Sequence, residues 1–109
     1  MALLWGKGAA VDSRVDPRDA VDHRTRIVRA GGQAAEARIV NLSPHGLMAR
    51  CDTPVAEGER VTIALPGLGS VAAEVRWALG GRIGCQFETA VADAAYPQLL
   101  AALHGGAGR

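Results

Sequence analysis

The strongest constraint on the fold is a period of two in the apolar residues, repeated through most of the chain and broken where glycine or proline marks a turn. Side chains of a β-strand alternate between faces, so this period argues for strands with one buried face. In "VDHRTRIVR", Val21, His23, Thr25 and Ile27 share one face, and Asp22, Arg24 and Arg26 the other. "AEARIVNL" sets Ala35, Ala37 and Ile39 against Glu36 and Arg38, and "GLMARCD" sets Leu47, Ala49 and Cys51 against Arg50. "ERVTIAL" alternates through Val61, Ile63 and Leu65. "SVAAEVRWA" places Val71, Ala73, Val75 and Trp77 together, and "RIGCQF" does the same for Ile83, Cys85 and Phe87.

Six short strands separated by Gly or Pro signals form the pattern of an antiparallel barrel or sandwich. The period then changes. In "ADAAYPQLLAAL", Leu99, Leu100 and Leu103 sit at helical spacing, with Asp93 as the expected cap, Pro97 in the first turn and "HGGAG" as the stop. A helix packed on the mouth of a barrel is the expected arrangement. Residues 1–19 show no sustained period, and Pro17 disfavours helix there, so they read as an N-terminal arm. At 109 residues the chain has the size of one domain. Its four aromatic residues, Trp5, Trp77, Phe87 and Tyr96, leave the core to Val, Leu, Ile and Ala.

Several function classes are disfavoured. A formal net charge of +1 argues against a broad hold on DNA or RNA, which needs many phosphate contacts. Alternation also assigns Trp77 and Phe87 to core faces, where they cannot stack on bases. No segment approaches the length of a membrane span, so no membrane insertion is expected. "MALLWGKGAA" has too short an apolar run for a secretory signal and no charged leader, which makes a cytoplasmic location the default expectation. Cys51 and Cys85 lack CxxC spacing and nearby histidines, so core packing is expected of them and no metal site. Catalysis is not expected either. Ser43 and His45 lie on a strand-to-strand turn without the geometry of a nucleophile elbow, and "GLGSVA" has neither the Lys nor the helix of a phosphate loop.

Two polar constellations remain. Arg14 and Arg18 flank Pro17, which favours a bent loop in which both guanidinium forks reach one anion, or the O6 and N7 acceptors of guanine. A solvated arm is the alternative. In "NLSPHG", Asn41 offers a donor and an acceptor, Ser43 a hydroxyl, and Gly46 a backbone open to close approach. The local alternative is Asn and Ser bonding nearby backbone while Gly takes a positive φ.

"RVDPR" at 14–18, followed after 22 intervening residues by "NLSPHG" at 41–46, resembles the PilZ family, whose pattern is RxxxR … [D/N]xSxxG. "EARIVNLSPHGLMAR", "VAEGERVTIALPG" and "AAEVRWALGGRIGCQF" look like that family's successive strands, so the resemblance spans residues 14–103. It implies a mainly β fold: a six-stranded antiparallel β-barrel with a C-terminal α-helix and a flexible N-terminal arm. The arm would be 1–19, the barrel and helix 20–104, and the tail 105–109. It also implies a cyclic di-GMP receptor with no catalytic role and no cofactor besides that ligand, the site lying on the outer surface beside the arm.

Carried across by motif, Arg14 and Arg18 would meet guanine edges and phosphates. Asn41 and Ser43 would hold a guanine from the barrel side, and Gly46 would keep the turn compact. Asn41 stands where the pattern also admits Asp. Its amide accepts through one oxygen without charge assistance, so weaker binding than that of an Asp variant is expected. With no second domain to receive a signal, the expected output is an unidentified downstream protein, engaged when nucleotide orders the arm. The alternative keeps the fold and drops the ligand: a PilZ-like adaptor that acts only through protein contacts.

Overall fold

The structure is a computed structural model that describes residues 18–107. Six strands precede one helix: β1 (Asp19–Arg29), β2 (Ala34–Ser43), β3 (Gly46–Arg50), β4 (Arg60–Leu65), β5 (Gly69–Leu79), β6 (Arg82–Phe87) and α1 (Tyr96–Ala107). The strands close into a barrel in the order β1-β2-β3-β6-β5-β4, and all neighbours are antiparallel. Of the two architectures the alternation allowed, it is the barrel, in which closure gives every strand a neighbour on each side. The β5–β6 connection is a two-residue turn of Gly80 and Gly81, both at positive φ (62° and 81°). A tight hairpin of that hand needs such angles, which side chains resist.

The apolar face of each strand points into the barrel. Ile27, Ile39, Leu47, Ala49, Ile63, Ala73, Val75 and Cys85 have no exposed surface, and Phe87 is buried with them. Leu99 and Leu103 of α1 complete the core and bring the helix against β1.

The helix start differs from expectation. Asp93 is exposed three residues before α1, and the Ala92 carbonyl instead accepts the N–H groups of Ala95 (2.9 Å) and Tyr96 (3.0 Å). A backbone turn therefore leads into the helix where a carboxylate cap was expected. Pro97 falls in the first turn, where its missing donor is tolerated. The helix continues through Gly105 and Gly106 to Ala107, past the expected stop, since a glycine weakens a helix by about 1 kcal/mol without obliging it to end. β1 begins at Asp19, inside the segment assigned to the arm. Residues 1–17, with Arg14, lie outside the described residues.

Alternation also fails at three bulges, and these shape the outer wall. The register slips between Ala20 and His23 on β1, between Ile39 and Asn41 on β2, and between Val75 and Trp77 on β5. An extra residue in one strand turns the side chains beyond it to the opposite face. On β2 the inward positions pass from Ile39 to Leu42, both fully buried. On β5, Val75 faces inward, and Trp77, expected in the core, stands on the outside. That corrects the assignment of Trp77 to a core face.

Candidate functional site

The β2 bulge decides where Asn41 points. Without it, Asn41 would follow Ile39 into the core. With it, Asn41 pairs with Ala20 on one side and Met48 on the other. Met48 sits between buried Leu47 and Ala49 and therefore faces out. Met48 pairs in turn with Gly84, and Gly84 with Trp77. Residues paired across strands share a face, so Ala20, Asn41, Met48, Gly84 and Trp77 form one lateral row on the outer wall. The indole of Trp77 lies across Gly84: a Cβ built there would fall 2.1 Å from Trp77 Nε1 and 2.4 Å from Cε2. Only a residue without a side chain admits the ring at this position. The half-buried indole thus presents a planar surface on the same wall as the Asn41 amide.

Ser43 and Gly46 close the β2–β3 turn. Ser43 is fully buried; its hydroxyl accepts the His45 N–H at 3.3 Å and donates to the Gly46 carbonyl at 3.4 Å. Gly46 is buried, pairs with Ser43 and Gln86, and is absent from the positive-φ glycines. Its backbone is ordinary strand. Pro44 and His45 anchor the chain that leaves β6. The Val91 N–H donates to the Pro44 carbonyl (2.7 Å), and the Phe87 N–H to the His45 carbonyl (2.8 Å).

Arg18 is exposed and lies one residue before the pairing of Asp19 with Leu42, which sets it beside the Asn41–Ser43 end of β2. Tyr96, half-buried, joins this corner from α1. Its hydroxyl donates to Asp19 Oδ2 at 2.6 Å and also lies 3.0 Å from the Leu42 carbonyl. Sequence reading missed Tyr96; the available signal was a lone aromatic with a polar tip at a helix start. It also missed the outward Trp77. The structure thus gathers Arg18, Asn41, Ser43 and Gly46 at one end of β2, while Arg14 lies outside the described residues.

Two carboxylate–guanidinium pairs and the two thiols serve the scaffold. The Arg29 guanidinium, bonded to Glu59 through Nε (2.6 Å) and Nη2 (3.0 Å), holds that carboxyl below its ordinary range, helped by the Ala56 N–H. Arg38 lowers Asp22 in the same way. Burial pushes the Cys85 thiol up to about 12 and raises Cys51 as well, so both are inert core residues. Among the described residues, no group of three or more His, Cys, Asp or Glu could hold a metal, and no helix is long and apolar enough to cross a membrane.

A search of curated proteins finds no match. The PilZ domain model matches residues 12–104, which takes in the RxxxR segment, every strand of the barrel and most of α1. The chain belongs to the PilZ domain family.

Proposed function

We propose that this domain is a receptor for cyclic di-GMP, held between the arm arginines Arg14 and Arg18 and the outer wall at the Asn41–Gly46 turn. PilZ domains are binding domains, generally receptors for this nucleotide, and some of them bind none. The observation that carries the proposal is the outward turn of Asn41, which puts its amide in one row with Trp77 at the strand end that Arg18 enters.

The chemistry of the ligand suits these groups. Two phosphates and two guanines call for guanidinium forks, a neutral donor and acceptor, and a flat apolar surface. Arg14 and Arg18 supply the forks, Asn41 meets a guanine edge, and Trp77 offers a stacking face of the kind that holds bases in other proteins. Ser43 acts through the turn: its buried hydroxyl fixes the backbone on which Asn41 and Gly46 sit. Micromolar affinity requires about −8 kcal/mol, within reach of a few such contacts after the arm is ordered.

The signal then has a route through the fold. Nucleotide draws residues 14–18 onto the wall, and the next residue, Asp19, is bonded to Tyr96 at the start of α1. A change in the arm thereby reaches the helix and the surface around it, where a partner protein reads it. Calorimetric titration of the full chain with cyclic di-GMP tests the proposal. Binding is expected, with strong weakening in Arg14→Ala and in Arg18→Ala. Arg60→Ala is expected to leave it unchanged, since Arg60 lies on β4 paired with Glu88 at 2.6 Å. Absence of heat at high micromolar nucleotide overturns it.

A further inference from the structure

Arg24, Arg38, Arg50 and Arg82 stand opposite one another across four adjacent strands. The register pairs Arg24 with Arg38, Arg38 with Arg50, and Arg50 with Arg82. All four are exposed. Neighbouring strands are about 4.8 Å apart, so the row is about 15 Å long. Like charges placed directly opposite destabilise a sheet, so three successive Arg–Arg pairings carry a cost to the fold that only Asp22 offsets. One carboxylate enters the row: Asp22 accepts from Arg38 Nε and Nη2, both at 2.5 Å. Among the described residues, no ion pair holds Arg24, Arg50 or Arg82.

We propose that this row is the docking surface for an acidic segment of a partner protein, with carboxylates spaced as on one face of a helix. Side chains three or four apart on a helix are about 5–6 Å from each other, close to the spacing of arginines on adjacent strands. The guanidinium fork matches a carboxylate in two-pronged fashion, and the Asp22–Arg38 pair is that contact already made within the chain. A nucleic acid is held through many phosphate contacts, and this row is a single residue wide. Lipid-binding basic clusters sit beside a membrane span or on an amphipathic helix, and this one is on strands. On one side Arg26 faces Glu36 at 3.8 Å, and on the other lie Asn41 and Met48. The row runs beside the Asn41–Trp77 row, since Met48 and Arg50 are two residues apart on β3, about 7 Å. A partner on the arginines therefore borders the nucleotide wall. That partner-facing role rests on the receptor proposed above; the row's affinity for carboxylates does not.

The test uses the full chain and a labelled helical peptide carrying Glu at every third or fourth position along one face, followed by fluorescence anisotropy with and without cyclic di-GMP. Salt-sensitive binding is expected. Arg50→Gln and Arg82→Gln should each weaken it about tenfold, the loss of one charge-assisted hydrogen bond. Asp22→Asn should strengthen it by releasing Arg38, and Arg60→Gln should leave it alone. Removing a like-charge pairing should also raise the urea midpoint of Arg50→Gln, which separates lost binding from lost fold. Absence of peptide binding, indifference to the arginine substitutions, or tighter binding of single-stranded RNA or phosphatidylglycerol vesicles overturns the proposal. So does a parallel loss of cyclic di-GMP affinity in Arg50→Gln and Arg82→Gln, which would give the row to the nucleotide site. Peptide binding with the expected substitution pattern, in a protein that ignores cyclic di-GMP, would sustain the docking row and remove the receptor function.

Discussion

The Tyr96 hydroxyl and the Asp19 carboxylate, at the first residues of α1 and β1, meet at 2.6 Å across 77 positions of sequence. The same hydroxyl lies 3.0 Å from the Leu42 carbonyl, next to Asn41. Tyr96→Phe keeps the ring and removes the link. A loss of about 1–2 kcal/mol is expected in urea denaturation, the cost of one part-buried hydrogen bond with its acceptors left behind. If Tyr96 also transmits the ligand signal, nucleotide-induced changes in amide exchange along α1 should fade in this variant while binding persists.

The Trp77 ring over Gly84 makes a second prediction. In Gly84→Ala the new methyl group would overlap a rigid indole, so the ring or the β5 bulge must move. A loss of about 1–3 kcal/mol is expected, as for other overpacked sites. Measured in a Trp5→Phe background, the remaining tryptophan emission should shift. Cyclic di-GMP affinity should fall with it, and unchanged emission and stability would contradict the ring's placement.

Asn41→Asp separates the amide's role from the turn's shape. The substitution preserves size on a half-exposed outward position, so thermal stability should hold. A carboxylate accepts guanine N–H groups with charge assistance, and calorimetry should show about tenfold tighter binding of cyclic di-GMP. An unaltered or weaker affinity would count against contact between residue 41 and a guanine edge.

Acid stability depends on Glu59. Its carboxyl is held below the ordinary value of 4.5, chiefly by the Arg29 hydrogen bonds. The stabilisation is therefore complete above that ordinary value and is lost as pH falls through the depressed folded value. The urea midpoint of the native chain should drop as pH is lowered from 4.5. In Glu59→Gln the midpoint should start lower at neutral pH and fall less steeply over that window. Equal slopes in the two proteins would refute the contribution of this pair.

Much of this architecture is legible in the residues. Val61, Ile63 and Leu65 alternate without interruption, and all three are buried. Gly80 and Gly81 announce a turn, and the chain reverses there with both at positive φ. The RxxxR and NxSxxG segments identify a family whose model matches nearly the whole chain. Other positions were not legible. Asp93 resembled a cap because carboxylates favour helix starts, yet the preceding turn extended far enough for a carbonyl to do that work. Ser43 offered a hydroxyl that burial committed to its own turn.

The sequence by itself determined which stretches become strands, where the chain turns and which side chains have to leave water, because these follow from a period of two and from glycine geometry within a few residues. Tertiary structure alone decided the outer wall. A bulge is a mismatch between two strands, so it belongs to neither sequence segment alone, and each one reverses the facing of every residue beyond it. Two such slips turned Asn41 and Trp77 outward into one row, and the pairing of β3 with β6 added Arg82 to the arginines of three consecutive strands.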